Sequence, residues 1–165
     1  MAKYSDRKLP TNQRKKWHQT LQKADEKKNL GESNKKVLID TNVWFSAIAF
    51  GGTPESVVKY CLEHCRVITG QYLLDELAVV LRDKLSAPNK WKNRILALIK
   101  QKTLSPDVPL VQYEVRDPKD SPIVATAIHA RCGCIITGDL DLLELGVVES
   151  VTIVTPTEFI RSIKE

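Results

Sequence analysis

Four acidic residues of this 165-residue chain stand where a carboxylate can do chemistry. Asp40 closes the apolar run Val37-Leu-Ile and is followed at once by Thr41, Asn42 and a second apolar run. Glu76 lies within the pattern Leu73, Leu77, Val80, Leu81; at about 100° per residue it borders that apolar stripe, while Asp75 points away. Asp120 precedes Ile123, Val124 and Ala127, and so shares their helical face. Asp139 follows Ile135-Ile-Thr-Gly, just past another apolar run, with Asp141 close behind. Each has an ordinary explanation when taken singly. Glu76 reads as a boundary acid paired with a lysine or arginine. Asp120 reads as a first-turn acid or cap, and Asp139 as the cap of a short helix beginning at Leu140. Asp117, before a proline, reads as a turn residue. Together, two strand ends and two helix faces each supply one acid. Four such groups in one crevice would repel unless divalent cations neutralised them. Mg²⁺ and Mn²⁺ prefer carboxylate oxygens and water, and they bridge phosphate oxygens. No histidine or cysteine flanks these acids, which argues against zinc.

The elements that must position them alternate. Residues 37–40 read as a strand without polar alternation, hence covered on both faces. A helix over 42–50 ends at Gly51-Gly52. Thr53 caps the next helix, with Pro54 in its first turn, running to residue 64. A strand over 66–69, a helix over 72–85 and a helix over 90–103 follow, the last two divided by Pro88 and Asn89. Residues 108–111 are expected as an edge strand, because Pro106 and Pro109 exclude a central place. A turn at 117–120 opens a helix ending near Cys132-Gly133. Then come a strand over 134–137, a short helix over 140–145 and a strand over 151–154. The capping box Thr155…Glu158 opens a final helix. Such alternation predicts an α/β fold: a mainly parallel sheet of four to five strands, helices on both faces. In such sheets ligands gather beyond the carboxyl ends of the strands.

The net charge of +5 is unevenly spread. Residues 1–36 hold eleven Lys/Arg against four Asp/Glu, and the remainder holds fourteen against sixteen. We divide the chain into a basic N-terminal extension over 1–35, partly helical or disordered, and a body over 36–165. The extension offers a polar helix over 12–28 carrying Trp17 and Leu21, then a linker. A basic arm on an acidic body is one footprint of nucleic-acid binding; the competing reading is a solvated tail. No apolar run approaches the roughly 20 residues that span a bilayer, and the start lacks a signal-like apolar stretch, so a cytoplasmic location is expected. The four cysteines are expected as free thiols. Cys61, His64 and Cys65 share a helical turn, but no fourth zinc ligand lies nearby, and buried cysteine is the commoner use.

Four stretches together resemble the PIN-domain (PilT N-terminal) family. They are Asp40-Thr-Asn-Val-Trp, Leu-Leu-Asp-Glu76-Leu, Asp120-Ser-Pro-Ile-Val-Ala-Thr-Ala and Ile-Ile-Thr-Gly-Asp139-Leu-Asp141-Leu-Leu, over roughly residues 36–160. The closest likeness is to the toxin components of toxin–antitoxin systems, the VapC-like branch. The resemblance implies a three-layer α/β/α sandwich and a metal-dependent endoribonuclease. It also implies Mg²⁺ or Mn²⁺ as cofactor, RNA as substrate, an antitoxin protein as partner and a homodimer. By motif position Asp40, Glu76, Asp120 and Asp139 match the family's acidic ligands. Asp141 matches a frequent fifth acid, and Asn42 and Thr137 match supporting polar residues. The implied chemistry is metal-assisted hydrolysis of a phosphodiester, with the carboxylates holding metal and no general base assigned among them. The basic arm lies outside the family pattern.

For substrate contacts the basic stretch after residue 81 offers Arg82, Lys84, Lys90, Lys92 and Arg94 as RNA-backbone contacts. The competing reading makes these the wet faces of two amphipathic helices, with Trp91 in the core. The alternative function is a PIN fold that binds RNA or scaffolds without catalysis; the intact acid set argues against it. A phosphoacceptor domain or another phosphohydrolase would need a lysine at a later strand end, and no strand here ends in lysine.

Overall fold

The computed structural model describes residues 7–28, 35–109 and 113–165, with the side chains of 25–28 excepted. The chain runs β1 (Arg7–Lys8), α1 (Thr11–Lys28), β2 (Lys36–Ile39), α2 (Thr41–Phe50), α3 (Gly52–His64), β3 (Arg66–Ile68), α4 (Gln71–Lys84), β4 (Leu85–Ser86) and α5 (Asn89–Lys102). A 3₁₀ turn (Pro118–Asp120) leads into α6 (Ser121–His129), β5 (Cys134–Ile136), α7 (Leu140–Leu143), β6 (Val147–Val148), β7 (Val151–Val154) and α8 (Pro156–Lys164). The main sheet has the order β3-β2-β5-β7-β6 and is parallel except for β6.

Strand alternation sorts the side chains into two cores. Val37, Ile39, Val67, Cys134 and Ile136 face one layer, which takes its apolar residues from α1, α2, α3, α4, α5 and α8. Leu38, Ile68, Ile135 and Ile153 face the other, filled by Ile123, Val124 and Ala127 of α6 and Leu142 of α7. The result is the three-layer α/β/α sandwich expected from the alternating pattern. The capping box at Thr155 and Glu158 is formed as expected.

Three local departures stand out. Thr53 does not cap α3. Gly51 and Gly52 adopt φ of 74° and 66°, so the chain turns from α2 straight into α3, which begins at Gly52. The strand expected over 108–111 does not form at 108–109, and residues 110 and 111 lie outside the described residues. The sheet edge is met earlier, where Leu104 bridges Ile68. Strand β6 was not expected; it folds back on β7 through Glu149 at φ 53°.

The N-terminal helix α1 is packed. Trp17, Leu21 and Ala24 are buried in the first core. The Trp91 indole Nε1 donates to Arg14 O at 3.1 Å. Glu55 of α3 takes Lys16 at 2.8 Å and Lys59 at 2.9 Å. Before α1, strand β1 pairs in parallel with β4, Arg7 opposite Leu85 and Lys8 opposite Ser86. Among the described residues no helix is long and apolar enough to cross a membrane.

Candidate functional site

The site grows from the seam between β2 and β5. Asp40 leaves β2 and caps α2, and its backbone N–H donates to Ile136 O at 3.0 Å. Its Oδ1 accepts the N–H of Thr41 at 2.7 Å. Its Oδ2 accepts the Thr137 hydroxyl at 2.8 Å and the Asn42 amide at 3.2 Å. Thr137 leaves β5, the neighbouring strand. Its Oγ1 in turn accepts the N–H of Asp139 at 3.0 Å, and Asp139 Oδ1 accepts the N–H of Asp141 at 3.0 Å, capping α7. The Asn42 Oδ1 accepts the N–H of Gly138 at 3.1 Å. Asn42 and Thr137 thus stitch the two strand ends together and orient Asp40, as a carboxylate's outer partners do.

Two helices bring the other acids. Glu76 sits on α4, one turn beyond Tyr72. Asp120 ends the 3₁₀ turn, which Asp117 caps by accepting the N–H of Lys119 at 3.0 Å. Asp40, Glu76, Asp120 and Asp139 line one crevice of about 480 Å³, together with Asn42, Tyr72, Asp117 and Lys119. The sequence had marked no role for Tyr72 or Lys119. The available signals were that Tyr72 precedes Glu76 by one helical turn and that Lys119 adjoins Asp120. The Tyr72 hydroxyl lies 2.7 Å from Thr126 Oγ1, joining α4 to α6, and burial pushes its pKa up to about 12.

The acids feel one another. Burial raises the pKa of Asp40, the hydrogen bonds from Thr137 and Thr41 oppose this, and Asp139 adds to it. Burial followed by the Asp40 charge raises Glu76, with Asp139 adding and the nearby Thr41 hydroxyl and Lys119 opposing. That hydroxyl makes no hydrogen bond of good geometry. Asp120 is pushed up to about 6, first by burial and then by Asp139, Asp117, Asp40 and Asp141.

The four acids reach one crevice but not contact distance. Among the described residues, no three Asp, Glu, His or Cys side chains stand together tightly enough to bracket an ion. Like charges keep apart, and Asp40 and Asp139 are each turned toward a backbone N–H. The donor set nonetheless fits a hard divalent cation. The polar groups lining the crevice are mainly carboxylate, amide and hydroxyl oxygens, which is what Mg²⁺ and Mn²⁺ take. The Thr41 hydroxyl, 3% exposed and without a hydrogen-bond partner among the described residues, is a further oxygen beside Glu76.

Asp141, expected as a fifth ligand, does not line the crevice. It faces the Arg116 guanidinium at 3.5 Å, which also holds Glu144 at 2.6 Å. The basic set divides. Lys84 lines a second groove beside Glu76. Arg82 is exposed and paired with Asp83 at 2.9 Å, and Lys90 and Arg94 are exposed on α5. Lys92 corrects the expectation of an RNA contact, being 8% exposed on the stripe that buries Ile95 and Ile99. The Cys61–His64–Cys65 turn is no zinc centre either. Both cysteines are buried, a hydrogen bond to Cys65 and then burial hold the Cys61 thiol protonated, and His64 is exposed against the Tyr60 ring.

In comparisons with known proteins, a family model described as PIN domain matches residues 36–141, well over half of the chain. No curated protein and no solved structure matches.

Proposed function

The chain belongs to the PIN-domain family, and on that premise we propose that it is a metal-dependent endoribonuclease hydrolysing RNA phosphodiester bonds. Members of the family are generally nucleases that act on RNA and use divalent metal ions. The observation that carries the reading is the crevice itself. Asp40, Glu76, Asp120 and Asp139, from two strand ends and two helices, line one cleft whose acids raise one another's proton affinity.

Asp40, Glu76, Asp120 and Asp139 would hold Mg²⁺ or Mn²⁺, with Asp141 reaching them only by leaving Arg116. A bound divalent ion would supply charge neutralisation at the scissile phosphate and a water of lowered pKa. Thr137 fixes the Asp40 carboxylate by donating to Oδ2, and Asn42 holds the same oxygen and the Gly138 backbone. Lys119, exposed at the crevice, places a cation where a phosphate must enter past four acids. Tyr72, tied to α6 through Thr126, keeps the wall that carries Glu76 against the wall that follows Asp120. A role as the toxin of a toxin–antitoxin pair, acting as a homodimer in the cytoplasm, belongs to the same reading and rests on motif resemblance.

The test is cleavage of total RNA by the purified chain with Mg²⁺ or Mn²⁺, wild type against Asp40→Asn and Asp139→Asn, with products mapped. Metal-dependent cleavage lost in both variants is the expected result. Equal cleavage by all three proteins would sink the assignment. Growth arrest on induction of the wild type, absent with Asp40→Asn, is the expected sign of toxicity.

A further inference from the structure

A second groove, of about 250 Å³, runs between α2 and α4 on the far side of Glu76. Asn42 and Glu76 line both this groove and the acid crevice, so the two form one trough. The chemistry changes along it. Beyond Glu76 the walls are Phe45, Phe50, the unpartnered Thr41 hydroxyl and the exposed Lys84. Phe50, the last residue of α2, is 46% exposed.

The N-terminal arm reaches Phe50, which lines this groove. Strand β1 pairs with the residues directly after Lys84 and so brings Arg7 opposite Leu85. The Arg7 Nε donates to Ala49 O at 2.9 Å, and the guanidinium lies 5.0 Å from the centre of the Phe50 ring. With Nε used on the protein, the two terminal nitrogens of the fork make no hydrogen bond among the described residues. A fork fixed on an aromatic face is a ready contact for a phosphate, and the stacked pair is a platform for a base.

We propose that residues of the N-terminal arm, outside the stretch that matches the family, complete a subsite for single-stranded RNA next to the scissile phosphate. Arg7 and Lys84 hold the backbone, and the exposed Phe50 ring, braced edge-to-face by the buried Phe45 at 6.1 Å, borders a flanking base. This rests on the nuclease reading. It is favoured by the alternation of cations with aromatics and by continuity with a site for phosphodiester chemistry; a peptide would leave the fork without its phosphate.

The test uses the full chain carrying Asp40→Asn, so that a labelled single-stranded oligouridine stays intact, with binding followed across a range of salt. Arg7→Gln and Lys84→Gln are each expected to weaken binding about 3- to 10-fold and to lower the log–log salt slope by about 0.7 per cation removed. Phe50→Ala is expected to weaken binding about 5- to 100-fold, as loss of a base–aromatic stack does. Arg7→Lys keeps the charge but not the fork, and should retain the salt slope while losing part of the affinity. In the otherwise wild-type chain, the Arg7→Gln/Lys84→Gln variant should cleave with raised KM and unchanged kcat, with circular dichroism matching the parent. Unchanged affinity and slope in the double variant overturns the subsite, and so does a fall in kcat at constant KM. Failure of the nuclease reading is read separately, as absence of cleavage by the wild type.

Discussion

Thr137, wholly buried at the end of β5, donates its hydroxyl proton to Asp40 Oδ2 across the seam to β2 at 2.8 Å. The Thr137 Oγ1 in turn accepts the N–H of Asp139 at 3.0 Å, so one side chain sets the geometry of two strand-end acids. Thr137→Val keeps shape and removes both contacts. A buried carboxylate that loses a partner costs about 1–3 kcal/mol, seen as a lower midpoint in urea. Affinity for Mn²⁺ by calorimetry should fall about 10- to 100-fold, with Thr137→Ser restoring most of it. Full Mn²⁺ affinity in the valine variant would show that Thr137 does not orient the site.

Removing one acid should help the metal-free fold. Asp120 is buried among like charges, so Asp120→Asn relieves repulsion while keeping nearly the same volume. In chelator the melting temperature of the variant should rise, by about 2–4 °C for each kcal/mol relieved. The same variant should lose most of the thermal shift that Mn²⁺ gives the parent. A variant less stable than the parent in chelator would show that Asp120 is held by unseen favourable contacts.

The pH dependence has a definite sign. The Asp120 pKa lies near 6 in the folded chain, above its ordinary value of about 3.9. The folded chain therefore keeps a proton that the unfolded chain releases within this window. Stability of the metal-free protein falls as pH rises from about 4 to about 6. Asp40 and Glu76, also raised, act in the same direction. A cation relieves only ionised carboxylates, so the Mn²⁺-induced rise in melting temperature should grow between about pH 5 and about pH 7. Thermal melts with and without Mn²⁺ at each pH measure it, and a shift that shrinks with pH would contradict the scheme.

The N-terminal helix can be tested for its share in the fold. Leu21 is 0% exposed, packed in the same core as α3 and α5. Leu21→Ala should cost about 2–5 kcal/mol in chemical denaturation, the usual range for such a cavity. Lys23→Ala, at an exposed position of the same helix, should change stability by less than about 0.5 kcal/mol. Equal, small effects would mean that residues 1–35 are an appendage whose removal leaves the body intact.

Much of this was legible because the signals are local. Val37 to Ile39 and Cys134 to Ile136 are apolar without alternation, and a strand covered on both faces needs that. Thr155 and Glu158 announce a helix start by a contact three residues long. Positions that depend on distant partners were not legible. Arg7 and Lys8 have no strand character; they pair with Leu85 and Ser86 because α1 and α5 dock together. Lys92 suggested an outward cation, yet its spacing to Ile95 and Ile99 was the better guide. Four acids at element ends foretold a shared crevice, but their separation depends on the electrostatics and hydrogen bonds of the folded site. No pattern along the chain carries that.

The bond between Thr137 and Asp40 spans 97 residues of chain. At a synthesis rate of about 5–20 residues per second, Asp40 leaves the ribosome roughly 5–20 s before its partner strand exists. By the end of that interval the nascent chain holds Asp40, Glu76 and Asp120 but neither Thr137 nor Asp139, so it has three of the four acids and no clamp. The clamp that orients Asp40 is thereby absent until β5 is released. The parallel crossover that places β5 beside β2 makes this site one of the last parts of the fold that can form.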